Sequence, residues 1–322
     1  MPSVTLVESA KLTQNMLVQG VIENIITVNR MFEMLPFMGI EGNALAYNRE
    51  NALGAVAAIG VGDADGTFGT GATGTNSAER LLAKDAATFT QITSSLTTIV
   101  GDAEVNGLIE ATRSNSGTDQ AAVQIASKAK SAGRKFQQML ATGDGTNFSF
   151  NGLLNLSVAG QQVSTAANGE NLSYAILDQL LDTVLDKDGQ ADYITMNART
   201  IRSYKALLRT AGGALINEVV TLPSGATTIA YSGVPIFRND YLPINQTKGT
   251  GTNCTTIIAG TFDDGSMTHG IAGLTALNES GIRIVDVGES LNKDEHIWRV
   301  KWYVGLALFS EKGIATANGI LN

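Results

Sequence analysis

Residues 117–143 read Gly117-Thr118-Asp119-Gln120, then AAVQIASKAKSAGRKFQQMLAT, then Gly143. Ala122, Ile125, Ala126, Ala129, Ala132, Gly133, Phe136, Met139 and Leu140 recur at three- and four-residue spacing, so they share one face of a helix. Gln124, Ser127, Lys130, Ser131, Arg134 and Gln138 fall on the opposite face. Ser116 or Thr118 can cap the start, Asp119 suits the positive end of the helix dipole, and Gly143 and Gly145 stop the run. The spacing predicts one helix over 118–142, roughly 37 Å long. Such a helix is long for a compact enzyme domain. Its apolar face is mostly alanine, so whatever lies on it comes close. It reads as a spine and not as the wall of a pocket.

On the N-terminal side, residues 1–13 read as an extended arm. Residues 14–35 carry the stripe Leu17, Val18, Val21, Ile22, Ile25 and Ile26 and read as a helix ended by Pro36. That stripe suits either a core helix or an arm helix packed on a neighbouring subunit. Residues 40–53 are strand-like. Residues 54–78 are glycine-rich, and 79–100 resume as a second strand rich in Thr, Ile, Phe and Val. The pattern is an extended hairpin with almost no core of its own. Isolated two-stranded hairpins are marginal in water, so something outside must hold it. Within the tip, Gly69-Thr70-Gly71-Ala72-Thr73-Gly74 matches G-x-G-x-x-G. No apolar strand precedes it and no helix follows at once, so it reads as a flexible loop and not as a dinucleotide site.

On the C-terminal side, residues 101–116 lead into the spine, and Phe148, Phe150, Leu153 and Leu154 lead out into a second domain. There a helix at Tyr174–Leu185, a buried strand at 193–197 and a basic helix at Ala198–Leu208 (with Arg199, Arg202, Lys205 and then Arg209) come first. A strand at Val219–Leu222, another at 232–237, a loop over 240–253 and a strand at Thr255–Ala259 follow, a mixed α/β or α+β pattern. Ile282, Ile284 and Val287 mark a strand, and residues 288–295 a polar turn. Trp298, Val300, Trp302, Val304, Leu306 and Leu308 then alternate with polar residues. That strand pair has one greasy face and is expected to pack on the spine.

Composition limits the chemistry. The chain has 322 residues and a net charge of −8, which argues against non-specific nucleic-acid binding as its main activity. Cys254 is alone, and the histidines are His269 and His296. An internal disulfide is excluded and a His-rich metal site is disfavoured. No apolar run reaches a membrane span, and the N-terminus shows no secretory pattern. Asp263-Asp264-Gly265 reads as a turn, and Asp186, Asp188 and Asp192 as a helix-end loop. No nucleotide loop, nucleophile elbow or metal motif is found, so no catalytic, cofactor-binding or metal residue is assigned.

The order of these parts, and the stretches LPFMGIEGNALAYNRE, ATFTQITSSLTTIVGDAEV, ASKAKSAGRKFQQMLATGD, GVPIFRNDYLP and WYVGLALF, resemble the major capsid proteins of tailed bacteriophages. The resemblance implies an α+β chain of the Hong Kong 97-like fold. Residues 1–39 would be an N-terminal arm and 40–95 an extended loop lying over a neighbour. Residues 96–149 and 276–310 would form a peripheral domain around the spine helix, and 150–275 with 311–322 an axial α/β domain. It also implies homo-oligomerisation into pentamers and hexamers of an icosahedral shell around double-stranded DNA. The partners would be a portal, separate scaffolding or decoration proteins, and DNA bound without sequence specificity, with no membrane. The shell would assemble in the host bacterial cytoplasm and function in the virion. The fold's founding member cross-links its subunits through a lysine near the loop tip. Residues 51–79 here contain none, so no isopeptide cross-link is expected. No long charged helix precedes the arm, so scaffolding falls to a separate protein or to a segment removed by cleavage.

Around the hairpin tip, Arg49, Glu50, Glu79, Arg80 and Lys84 are candidates for inter-subunit ion pairs. On the spine, Lys130 and Arg134 belong to a basic run with Arg113, Lys128 and Lys135. They suit a solvated face, inter-subunit pairs or weak contact with packaged DNA. Two other readings of the whole chain stand beside the capsid. One is an encapsulin-type compartment enclosing protein cargo. The other is an α/β enzyme with a glycine-rich lid.

Overall fold

A computed structural model describes residues 29–54, 86–113, 120–210, 219–223 and 225–321. In chain order the strands are β1 (Phe37–Ile40), β2 (Ala44–Ala52), β3 (Thr88–Ser95), β4 (Thr97–Asn106), β5 (Gln162–Val163), β6 (Glu170–Asn171), β7 (Tyr193–Met196) and β8 (Val219–Thr221). They continue as β9 (Thr227–Tyr231), β10 (Val234–Arg238), β11 (Gln246–Lys248), β12 (Gly251–Gly260), β13 (Ile271–Ala276), β14 (Arg283–Glu289), β15 (Glu295–Leu308) and β16 (Ile314–Leu321). The helices are α1 (Gly107–Arg113), α2 (Gln120–Thr142), α3 (Leu153–Leu156), α4 (Tyr174–Thr183) and α5 (Ala198–Thr210).

The spine is α2, unbroken for 23 residues. Its C-terminal half supplies core: Ala132, Phe136, Met139, Leu140 and Ala141 are buried. Ala122 and Ala126, expected on the same apolar face, stay exposed because burial along that face deepens toward the C-terminal half. At the end, the Gly143 N–H donates to the Met139 carbonyl at 2.8 Å. A Cβ at Gly143 would collide with the Phe150 carbonyl oxygen, so only glycine lets the chain turn back here.

Beneath the spine lies a five-stranded sheet. Long β15 pairs antiparallel with β4 on one side, from Glu295↔Asn106 to Val304↔Thr97. On its other side it pairs first with β14 and then with β13, whose outer neighbour is β1 in parallel. The greasy face of β15 meets the spine as expected, with Trp302 and Phe136 ring centroids 4.8 Å apart. The second strand under the helix is β4, however, and not β14. Ile284 and Val287 of β14 are about half exposed, because β14 lies at the sheet edge away from the helix. Residues 101–106, expected as a lead-in, are the end of β4.

The expected helix over 14–35 is described only at its end, and there it is not α-helical. Asn29 bridges to Asn239, its Oδ1 accepts the Met31 N–H at 3.1 Å, and Arg30–Glu33 form a single 3₁₀ turn. Phe37–Ile40 then join the sheet as β1, because Gly273 on β13 leaves room for the Phe37 ring. The stripe Leu17–Ile26 lies outside the described residues, as do the hairpin tip and its GxGxxG stretch.

The hairpin pairs β2 with β3 from Ala44↔Ser95 to Ala52↔Thr88. Leu96 interrupts the strand run 88–106, its N–H donating to the Asn43 carbonyl, and the chain changes partner from β2 to β15. Gly305 of β15 permits this junction, since a Cβ there would lie 2.7 Å from the Ser95 carbonyl oxygen. The hairpin base packs Leu45, Tyr47 and Leu96 on the sheet face opposite the spine, against Ile40, Leu274 and Phe309.

The other sheet has nine strands, in the order β5-β16-β12-β7-β10-β9-β8, with β6 and β11 pairing on β16 and β12. Central β7 is buried throughout, as a strand covered on both faces must be. Helix α4, capped by Ser173, and helix α5 cover one face through Ile176, Leu177, Leu180 and Tyr204. The other face shares a core with the spine region through Tyr193, Phe237 and Phe262. The residues expected as a loop at 240–253 include β11, which folds back on β12. The last strand, β16, enters this sheet between β12 and β5.

Candidate subunit-contact surface

The described outer part of the hairpin, residues 50–53 and 88–91, is exposed, and this makes its anchoring the first question. Arg49 answers it. Its Nε donates to the Phe309 carbonyl at 2.9 Å, an Nη donates to the Leu308 carbonyl, and the other Nη pairs with Glu311 at 2.7 Å. The Arg49 side chain is only 14% exposed. Tyr47 adds a 2.6 Å hydrogen bond to the same Leu308 carbonyl and an edge contact with Phe309 at 5.2 Å. Arg49, expected to face a neighbour, is therefore committed within its own chain. It latches the hairpin to the end of β15, where backbone carbonyls leave the sheet.

Glu50 next to it points outward and is exposed. Glu79, Arg80 and Lys84 lie outside the described residues. Along the hairpin, Leu53 is 78% and Phe89 66% exposed. Exposed apolar side chains on an extended arm are a feature of contact surfaces. On the spine, Lys130 is exposed and Arg134 half-buried, and both make further contacts within the chain.

Charge pairs tie the sheet beneath the spine. Arg299 on β15 donates two 2.8 Å hydrogen bonds to Asp102 on β4. Those bonds hold the Asp102 carboxyl below its ordinary value, helped by the Arg299 and Lys128 charges. Across the neighbouring pair, His296 lies 2.6 Å from Asp286 and stacks on Trp298, and the Asp286 carboxyl is likewise held low.

Sequence reading missed one buried polar centre. Asp186, expected in a helix-end loop, is buried between the two sheets. One oxygen accepts the Gly270 N–H at 2.7 Å and the Thr261 hydroxyl at 3.3 Å, and the other lies 3.0 Å from His269 Nδ1. These groups flank β12 and β13, so the carboxylate joins the connection between the sheets. No local signal marked it, because its partners lie more than 70 residues away. The Asp263-Asp264-Gly265 turn forms as expected, the two carboxylates accepting from Met267 and Ser266 N–H groups. Among the described residues, no three of His, Cys, Asp and Glu converge as a metal site would require.

No protein-family model and no curated sequence matches the chain. Solved structures do. The holo-SrpI encapsulin complex from Synechococcus elongatus is similar over 99% of this chain and 96% of that one, at 17% identity and a TM-score of 0.71. The capsid of the native GTA particle is similar over the full length of both chains, at 14% identity and 0.66. The capsid of Myoviridae phage XM1 covers 97% and 98%, at 10% identity and 0.63. The chain thus has the Hong Kong 97-like fold of phage capsids and encapsulins, an α+β architecture.

Proposed function

We propose that this chain is the major capsid protein of a tailed phage. It would self-assemble into pentamers and hexamers of an icosahedral shell enclosing double-stranded DNA. The observation that carries the reading is the hairpin. It is latched at its base by Arg49 and Tyr47, yet presents Leu53 and Phe89 to solvent. A shell subunit needs such an arm, fixed in direction on its own body and apolar where it meets the next copy. The division into arm 1–39, extended loop 40–95, peripheral domain 96–149 with 276–310, and axial domain 150–275 with 311–322 belongs to the same reading. So do Glu50, Glu79, Arg80 and Lys84 as inter-subunit contacts, with a portal, separate scaffolding or decoration proteins, and assembly in the host cytoplasm. A structural and not a catalytic role follows. An acidic chain also suits a wall that must not trap the DNA it encloses.

The likeness to an encapsulin complex keeps a second reading in view, a protein compartment of the same fold. Electron microscopy of the particle formed by the chain, expressed with its neighbouring genes, tests both. Closed shells filled with DNA support the capsid, and shells holding protein cargo support the compartment. A stable monomer that remains so with a candidate scaffold overturns both.

A further inference from the structure

Helix α5 carries an exposed basic face that pairs with no carboxylate among the described residues. Arg202, Lys205 and Arg209 stand at positions i, i+3 and i+7, all exposed, while Tyr204, Ile201, Leu207 and Leu208 face the sheet. Among the described residues these three cations make no ion pair. The stripe spans about 10 Å of helix. Beside it on the same sheet face, α4 presents the opposite sign. Asp178 and Asp182 line a cleft of about 670 Å³ with Gln190, Ala191 and the Ser232-Gly233 turn. Asp178 accepts the Tyr231 hydroxyl, which fixes the β9–β10 turn as the far wall. Asp182 is exposed and makes no ion pair among the described residues, and exposed Asp188 extends the acidic side beyond the helix end, where Lys187 is taken up by Asp192.

We propose that the basic face of α5 docks into the acidic α4 cleft of a second copy of this chain. The contact would be head-to-tail, repeating around a ring. The two surfaces are different patches on one molecule, and patches of that kind generate rings or open arrays and not two-fold dimers. Charge complementarity selects the occupant. The chain carries −8 overall, so a local cationic stripe finds its nearest abundant partner in another copy's acids. The cleft is open and polar, suited to long Arg and Lys side chains that keep partial hydration. Like-signed approach, stripe to stripe or cleft to cleft, is repelled, which fixes register around the ring. The inference rests on the shell reading and deepens it by naming the ring contact.

The test is a charge swap in the full chain. Three variants are compared with the wild type by sedimentation and electron microscopy: Asp182→Lys, the pair Arg202→Glu with Lys205→Glu, and all three together. Circular dichroism of the unassembled subunit checks that each one folds. Each reversal alone is expected to lower the assembled fraction at least tenfold, and the combined swap to restore it to within about threefold of wild type. Assembly unchanged by either reversal overturns the proposal. So does a combined variant no better than the single reversals. Shells that form normally but lose nucleic acid on Arg202→Glu with Lys205→Glu overturn it in favour of a DNA-facing stripe. Failure of the wild type to assemble even with a candidate scaffold would instead sink the shell reading, and this contact with it.

Discussion

Removing the Arg49 guanidinium should free the hairpin without unfolding the body. The latch joins Arg49 to two backbone carbonyls and one carboxylate. Glu311 is 47% exposed, so that pair contributes only about 0–1 kcal/mol after solvent screening. The bonds to the Leu308 and Phe309 carbonyls are charge-assisted and largely buried, worth about 1.5–3 kcal/mol each at most. Leu308 keeps its Tyr47 bond and its place in the β13–β15 ladder, which lowers the net loss. About 2–3 kcal/mol remains for Arg49→Ala, a roughly 30- to 150-fold rise in local opening. The assay is hydrogen exchange on the unassembled subunit. Amides of β2 and β3 should lose protection by that factor, while those of β7 and β12 hold theirs. Arg49→Lys keeps the charge but not the planar fork, and should fall between. Unchanged hairpin protection in Arg49→Ala would refute the latch, and loss spread evenly over both sheets would show that Arg49 supports the whole fold instead.

Phe136→Ala should be the more damaging core change. Its ring is fully buried among Phe32, Phe37, Phe150 and Trp302, so about 3–5 kcal/mol is lost, or about 5–7 °C in Tm by calorimetry of the subunit. Acid should weaken the sheet beneath the spine. Asp102 and Asp286 sit below the ordinary carboxylate value of 3.8, so their contribution is full above it and drains away as pH falls through the lowered folded values. Thermal melts between pH 5 and 2 should therefore steepen in the acid range, and Asp102→Asn should flatten that limb. Boiled shells should run as one band near 34 kDa, since residues 51–79 hold no lysine for a cross-link, and a ladder of multimers would contradict this. If the spine faces packaged DNA, Lys130→Glu with Arg134→Glu should lower genome content per particle, and particles filled as before would remove DNA contact from their role.

The parts of this fold legible in the sequence are those set by local periodicity. Phe136, Met139 and Leu140 repeat with the helix and are buried, and Trp302, Val304 and Leu306 repeat with the strand and are buried. Partner choice was not legible in the same way. Trp298 and Trp302 announce a face, but nothing local says that Ala103 and Ile99 lie opposite them across nearly 200 residues. The same holds at the contact surface. Arg49 was visible as a charge beside the hairpin. That its acceptors are carbonyls near residue 309, freed where β15 ends, depends on tertiary geometry. Asp186 shows the opposite error. With Asp188 and Asp192 beside it, it reads as part of a helix-end loop, and only folding brings the Gly270 amide to it.

The distribution of apolar surface explains why one subunit is an unfinished object. Both faces of the spine-side sheet have cores, Trp302 and Val300 on one and Leu274 and Phe309 on the other. Apolar side chains nonetheless remain exposed outside those cores: Leu53 and Phe89 on the hairpin, Ile284 and Val287 on edge strand β14, and Leu291 in the turn beyond. Exposed edge strands with apolar side chains invite pairing with other chains, and soluble monomers usually blunt them with charge or cover them. Arg283 and Asp286 on β14 are engaged with Glu279 and His296, which lowers their capacity to guard that edge. On the shell reading, such a chain folds around its two cores and keeps apolar surface for its neighbours. If the chain does build a shell, the order of events must be controlled, because the surfaces that would close it are the same ones that aggregate when neighbours arrive in the wrong orientation. A latch that sets the hairpin's direction before any neighbour binds is one physical means of control. The proposed charge contact between α5 and a neighbour's α4 cleft, which admits only one ring register, would be another.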